Sequence, residues 1–132
     1  MIDIVIADDH PIVRSGLVAL LSSASDIKVV GEASNGLEVL DLVAQTDPDV
    51  VLMDLRMPEM DGVSATAQIR SHHPRTQVLI LTTYETDTDI LRAVEAGATG
   101  YLLKDAAHEE LLAGIRAAAA AETVLAPSVA AR

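Results

Sequence analysis

The sequence predicts an α/β protein built on a doubly wound parallel sheet, and two patterns point to this class. Short β-branched runs alternate with longer segments in which apolar residues recur at helical spacing, and the alternation is repeated five times. The strand-like runs are mostly continuous in apolar residues, as expected of strands buried on both faces. The length of 132 residues suits one domain, and a hydrophobic share of 50% is enough to build its core.

Five strands are predicted from the apolar runs. They lie at Ile2–Ala7, Ile27–Ala33, Val50–Met53, Gln77–Thr82 and Gly100–Leu103. Because a helical segment follows each run, right-handed crossovers place the strands parallel to one another. With only five strands, the flavodoxin-like (βα)5 order 2-1-3-4-5 is favoured over the Rossmann order.

Five helices are predicted after these strands. Their apolar stripes are Val13/Leu17/Leu20, Leu37/Leu40/Val43, Val63/Ala67/Ile69, Ile90/Leu91/Val94 and Leu111/Leu112/Ile115. The proline and glycine positions agree with these helix starts, since a first helical turn tolerates Pro11, and Gly36 and Gly62 open helices. Asp61 is interpreted as a turn and cap residue rather than a catalytic one. The alanines at 117–121 are expected to extend the last helix.

Residues 122–132 lose the helical periodicity and contain Pro127. We interpret them as the start of a linker, with a frayed C-terminal tail as the alternative. The predicted organisation is therefore one domain over residues 1–121 followed by linker residues 122–132.

Composition excludes several classes of function. Nine Lys and Arg residues against 20 Asp and Glu residues give a formal charge of −11, which argues against a nonspecific nucleic-acid binder. The absence of cysteine removes disulfides, zinc-thiolate sites and thiol nucleophiles. Without a basic signal region or an 18-residue apolar run, the chain is predicted to be cytoplasmic and to have no membrane segment. The four histidines are not spaced as a zinc cluster and are interpreted as structural or solvated.

Polar residues that follow the predicted strands mark the expected site. In open α/β sheets, ligands bind at the carboxyl ends of the strands, near the point where strand order reverses. Asp8 and Asp9 follow strand one and Asp54 follows strand three, so the predicted order brings these carboxylates together. Thr82 ends strand four, and Lys104 follows strand five.

Three neighbouring carboxylates repel one another unless a proton or a cation lies between them. An oxygen-rich pocket of this kind suits Mg²⁺, which leaves coordination positions for phosphate oxygens. Lys104 would add positive charge from the other side, and Thr82 offers a hydroxyl donor. The set predicts a phosphoryl-accepting site in which Asp54 is the nucleophile, while Asp8 and Asp9 hold the metal directly or through water.

The chain resembles the receiver domain of bacterial two-component response regulators, in the NarL/FixJ (LuxR-type) branch. The similarity covers residues 1–121 and rests on the Asp8-Asp9 pair, the segments 54–62 and 97–104, and Thr82. The resemblance implies that a sensor histidine kinase phosphorylates Asp54 and that the protein takes part in its own Mg²⁺-dependent phosphotransfer and autodephosphorylation. It implies that Mg²⁺ is held by Asp8, Asp9, Asp54 and the backbone carbonyl of Arg56.

The resemblance also implies that Lys104 contacts the phosphoryl group and that Thr82 and Tyr101 form a switch pair. Thr82 would move toward the phosphoryl group, and Tyr101 would turn from solvent into the vacated space. Regulators of this branch commonly dimerise on activation and carry a helix-turn-helix effector domain, and no such domain is expected within residues 1–132. Direct DNA binding is therefore not expected of this segment. Two dimer surfaces remain open, the stripe of the first helix and the face formed by residues 87–120.

Three other readings fit the residues less well. A flavodoxin-like FMN carrier needs a hydroxyl- and glycine-rich phosphate loop after strand one, where Asp8 and Asp9 stand instead. An aspartate-nucleophile phosphatase needs a second carboxylate two residues after the nucleophile, and that residue is Arg56. A calcium-binding loop needs alternating oxygen ligands that residues 54–62 do not provide.

Overall fold

The fold is a six-stranded parallel sheet with five helices, within the residues that the computed structural model describes. These residues are 1–82, 87–122 and 124–125, and side chains are described for residues 1–81 and 91–122. The elements in chain order are β1 (Ile2–Ala7), α1 (Pro11–Ser22), β2 (Ile27–Ala33), α2 (Gly36–Thr46), β3 (Val50–Met53), α3 (Gly62–His72), β4 (Gln77–Thr82), α4 (Asp87–Glu95), β5 (Gly100–Leu103), α5 (His108–Ala119) and β6 (Val124–Leu125). The sheet order is β2-β1-β3-β4-β5-β6. The five predicted strands and their order are confirmed.

The register of the sheet positions the site. Ala7 of β1 pairs with Met53 of β3, so both strands end at the same level. The next residues, Asp8 and Asp54, therefore leave the sheet side by side. All four residues of β3 are buried, as a central strand covered on both faces requires.

The helices begin where local chemistry allows. Pro11 occupies the first turn of α1, where its missing N–H leaves no hydrogen bond unmade. Asn35 caps α2 by accepting from the Glu38 amide at 2.9 Å. The expected cap at Asp61 is confirmed, because its side chain accepts from the Ser64 amide at 2.8 Å. None of the helices in the described part of the chain is long and apolar enough to cross a bilayer.

The end of α5 differs from the expectation. The helix stops at Ala119, and Ala121 takes a left-handed conformation with φ of 62°. The Ala121 amide donates to the Ala118 carbonyl at 2.8 Å and the Glu122 amide donates to the Ala117 carbonyl at 2.9 Å. This is a Schellman turn with alanine in the position that glycine usually fills.

The turn reverses the chain and lays β6 along β5, with Gly100 paired to Val124 and Tyr101 paired to Leu125. Five strands were predicted from the sequence, so β6 is an addition to the predicted sheet. A two-residue strand is too short to carry a periodic signal, and it forms here because β5 would otherwise present unpaired backbone groups at the sheet edge.

Candidate metal centre

Three carboxylates meet at the carboxyl edge of the sheet, as the strand order predicted. The side chains of Asp8 and Asp54 are 2% and 3% exposed, and that of Asp9 is 31% exposed. One ligand atom from each, together with one from His10, lie within 4.8 Å of one another. The sheet ladder holds the ends of the strands, since the Asp54 amide donates to the Ala7 carbonyl at 3.0 Å.

A single ammonium group pairs with two of these carboxylates. Lys104 Nζ lies 2.7 Å from Asp8 Oδ2 and 3.3 Å from Asp54 Oδ2. The lysine comes from the end of β5 and reaches across the end of β4, and its side chain is largely buried. Buried carboxylates are tolerated when a partner of opposite charge lies against them, and Lys104 supplies that partner here.

The positive charge near Asp54 does not offset the effect of burial on its pKa. Burial raises the pKa of Asp54 above its usual range, against the opposing charge of Lys104, and the charge of Asp8 raises it further. The Arg56 amide contributes only a weak hydrogen bond, 3.5 Å from Asp54 Oδ1. Burial acts to lower the pKa of Lys104, but its hydrogen bond to Asp8 and the charges of both carboxylates outweigh burial and raise it. The lysine is therefore charged at neutral pH, and the site has room for further positive charge.

One carboxylate oxygen has no hydrogen-bond partner among the described residues. Asp9 Oδ1 is buried, and His10 Nδ1, 3.1 Å away, does not meet it in hydrogen-bond geometry. An unmatched buried oxygen is costly unless a cation or water reaches it. Three carboxylates with one such oxygen form a donor set that fits a hard divalent cation.

His10 was not predicted as a site residue, because the four histidines were interpreted as structural or solvated. The His10 amide donates to Asp8 Oδ1 at 2.8 Å, and its ring Nδ1 lies 3.0 Å from the same oxygen. The only signal in the sequence was adjacency to the acidic pair, followed by Pro11. Arg14 was missed too, and its guanidinium donates to the Asp8 carbonyl at 2.6 Å and so anchors the end of β1.

The predicted switch residues have different outcomes. Thr82 ends β4 in register with Leu103, and its side chain lies outside the described residues. Tyr101 was expected to face solvent before activation, but it is 1% exposed and already lies inside. The switch role of the pair stays a prediction.

The loop after Asp54 is held in place by a glycine. A Cβ on Gly62 would lie 2.1 Å from the Asp54 carbonyl oxygen, so no larger residue fits without moving the loop. The Gly62 amide donates to the Leu55 carbonyl at 2.8 Å. Beside the loop lies a cavity of about 460 Å³, whose polar lining includes Asp9, Arg56 and Arg92. This cavity gives solvent-side access to the carboxylate cluster.

Comparisons with known proteins agree on one family. Residues 4–116 match the family described as response regulator receiver domain. The uncharacterized transcriptional regulatory protein YxjL of Bacillus subtilis is 44% identical over 123 residues, which are 93% of this chain and 56% of that protein. Response regulator protein VraR of Staphylococcus aureus is 40% identical over 128 residues, which are 97% of this chain and 61% of that protein. The chain thus spans between half and two thirds of the length of these relatives.

A solved structure shows the same fold over nearly the whole chain. The crystal structure of a two-component response regulator of the LuxR family from Aurantimonas sp. SI85-9A1 has a TM-score of 0.94 and 37% sequence identity. The match covers 99% of this chain and 94% of that chain.

Proposed function

The chain belongs to the response regulator receiver domain family, and from that premise we propose that Asp54 accepts a phosphoryl group from a sensor histidine kinase. The observation that carries the proposal is the environment of Asp54. It is a buried carboxylate at the end of β3, 3.3 Å from the Lys104 ammonium and next to two further aspartates. A nucleophile for phosphorus needs this combination of fixed position and nearby positive charge.

The transfer step forms one bond to phosphorus and breaks one. A carboxylate oxygen of Asp54 attacks phosphorus in line, a new P–O bond forms, and the P–N bond of the kinase phosphohistidine breaks. The kinase imidazole leaves with the electron pair and takes up a proton. Lys104 lies close enough to both Asp8 and Asp54 to donate to a phosphoryl oxygen, which distributes the charge of the transferred group. Hydrolysis of the acyl phosphate by water at the same site is the proposed autodephosphorylation.

Mg²⁺ is the proposed cofactor. The residues that would hold it are Asp8, Asp9, Asp54 and the backbone carbonyl of Arg56. The unpartnered, buried Oδ1 of Asp9 supports this donor set. When bound, the cation neutralises carboxylate charge and allows a dianionic phosphoryl group into the site.

The proposed switch couples Asp54 to Tyr101. The phosphoryl group adds negative charge and acceptor oxygens, which draw in the Lys104 ammonium and the Thr82 hydroxyl. Movement of Thr82 favours the inward position of Tyr101, whose side chain is 1% exposed. We expect both positions to be populated at rest, with phosphorylation shifting their ratio. A shift from 1:99 to 99:1 requires about 5.5 kcal/mol of differential interaction.

The proposed output is dimerisation that controls an effector domain. The chain spans 56% and 61% of the two curated relatives, both regulatory proteins, and the remainder of a full-length regulator would carry the DNA-binding helix-turn-helix. Residues 122–132 are the proposed start of the linker to it, and the proposed location is the cytoplasm. Size-exclusion chromatography with light scattering, with and without phosphorylation, tests the dimer.

Intact-mass spectrometry after incubation with MgCl₂ and acetyl phosphate tests the central proposal. We expect one phosphoryl adduct in the unchanged chain and none in Asp54→Asn or in the presence of EDTA. Asp41→Asn, an exposed aspartate on α2, is the matched control and should be phosphorylated normally. An adduct that persists in Asp54→Asn would disprove the assignment of the nucleophile.

A further inference from the structure

We propose that His10 is a metal-site residue that gives this acidic cluster affinity for imidazole-binding divalent cations such as Co²⁺, in addition to Mg²⁺. The inference rests on the metal site of the proposed function and concerns its selectivity. It adds a nitrogen donor to a site otherwise made of oxygen ligands.

The backbone around His10 is fixed by its neighbours. Pro11 follows it, and a residue before proline is confined to extended backbone. His10 accordingly has φ of −97° and ψ of 106°. Its amide donates to Asp8 Oδ1 at 2.8 Å, which ties the residue to the acidic pair from the backbone side.

The ring of His10 is not used to cap the helix that it precedes. His10 occupies the N-cap position of α1, yet its side chain makes no capping hydrogen bond. The ring turns back instead, with Nδ1 3.0 Å from Asp8 Oδ1 and 3.1 Å from Asp9 Oδ1. Two ligand atoms in neighbouring positions around an octahedral ion with bonds of about 2.1 Å also lie about 3 Å apart. The same spacing suits a hydrogen bond, so a cation that binds both donors would take the place of the contact between the ring and the carboxylates.

The carboxylate oxygen left available to a cation is on Asp9. Both oxygens of Asp8 have partners, because Oδ2 pairs with Lys104 and Oδ1 accepts from the His10 amide. Oδ1 of Asp9 is buried and has no hydrogen-bond partner among the described residues. The ring of His10 is itself 63% exposed, so it can adjust without disturbing the core. A cation that enters here can engage Asp9 Oδ1 and His10 Nδ1 together.

The kinds of donor atom determine which divalent cation the site binds more tightly. Carboxylate and carbonyl oxygens suit Mg²⁺, whereas imidazole nitrogen suits later first-row metals. A site with an added imidazole should therefore gain affinity for Co²⁺ more than for Mg²⁺. Removal of the imidazole should weaken Co²⁺ binding selectively.

Isothermal titration of the unphosphorylated chain with CoCl₂ and separately with MgCl₂ tests the inference. We expect His10→Asn to weaken Co²⁺ binding by about tenfold or more, while Mg²⁺ affinity changes little. His72→Asn is the control, because His72 is exposed in the last turn of α3 and its Nδ1 lies 3.0 Å from the Gln68 carbonyl. Zn²⁺ should also shift the ¹⁵N resonance of His10 Nδ1 in the unchanged chain.

Four results would overturn the inference: no Co²⁺ binding by the unchanged chain, equal loss of Co²⁺ and Mg²⁺ affinity in His10→Asn, no loss in that variant, or an equal loss in His72→Asn. Far-UV circular dichroism without metal checks that each variant is folded. The acetyl phosphate mass assay separates this inference from the proposed function. A chain that is phosphorylated on Asp54 with Mg²⁺, but whose Co²⁺ affinity does not depend on His10, retains the function and loses only the histidine role.

Discussion

Lys104 Nζ lies closer to Asp8 than to Asp54, at 2.7 Å against 3.3 Å. The lysine therefore pairs first with a carboxylate of the candidate metal site and second with the candidate nucleophile. A cation bound at Asp8 would compete with that pairing and leave Lys104 to donate toward Asp54. The bound cation would then pair with Asp8, and the Lys104 ammonium would pair with Asp54.

Replacement of Lys104 should destabilise the metal-free protein. Lys104→Gln leaves buried Asp8 and Asp54 without their cation, which we expect to cost about 3 kcal/mol of unfolding free energy. Urea denaturation at pH 7 in EDTA measures the loss, and MgCl₂ should restore part of it. Lys28→Gln removes the only other lysine of the chain, on the surface of β2, and should change stability by less than about 0.5 kcal/mol. Equal effects of the two variants would contradict the pairing.

Asp54→Asn should stabilise the metal-free protein at neutral pH. Burial raises the pKa of Asp54, so the folded state binds its proton more tightly than the unfolded state does. The stability from this group is present below the unfolded pKa and is lost as pH rises through the folded pKa. Above that pH the ionised carboxylate opposes folding, and asparagine removes the penalty.

Thermal melts of Asp54→Asn in EDTA, from about pH 3, below the ordinary carboxyl pKa, to about pH 8, well above it, measure this effect. The gain should be largest at neutral pH and should shrink toward acidic pH. Asp41→Asn removes the same charge from an exposed position and should show no such pH dependence. A lower melting temperature for Asp54→Asn at pH 7 would show that Lys104 outweighs burial.

The ion pair between Asp26 and Arg116 should lower the free energy of unfolding as pH falls, which is opposite to the effect expected of Asp54. Arg116 donates to Asp26 at 2.8 Å and 3.0 Å, and this hydrogen bonding lowers the pKa of Asp26. Its stabilisation is present above the unfolded pKa of Asp26 and is lost as pH falls through the folded pKa. Carboxyl NMR titration of Arg116→Gln should show the pKa of Asp26 returning toward its ordinary value. Salt should reduce the difference between the variants, since the pair is on the surface.

Gly62→Ala should disturb the loop after Asp54. Its Cβ would lie 2.1 Å from the Asp54 carbonyl oxygen, so we expect a loss of about 2 kcal/mol or more and slower phosphorylation by acetyl phosphate. Gly16→Ala is the matched control, because nothing lies within 4 Å of its added Cβ. That substitution in α1 should stabilise the protein by about 0.5 to 1 kcal/mol. A tolerated Gly62→Ala would show that the loop moves freely.

The parts of the molecule that sequence reasoning found are those fixed by chain pattern. Continuous apolar runs end at polar residues, so the bounds of β1 and β3 and the meeting of Asp8 with Asp54 were predictable. The position of a side chain within the site was not. Side-chain torsions decide that Lys104 lies closer to Asp8 than to Asp54. They also decide that the His10 ring contacts both Asp8 and Asp9. The inward position of Tyr101 depends on packing, which periodicity does not report.

The left-handed alanine at the end of α5 has a consequence for engineering. Because β6 runs parallel to β5, with Leu125 level with Tyr101, the strand is directed away from the end of the domain at which α5 finishes and toward the edge that carries Asp54 and Lys104. Ala121→Gly, which relieves the strained backbone at the reversal, offers a way to stabilise this change of direction.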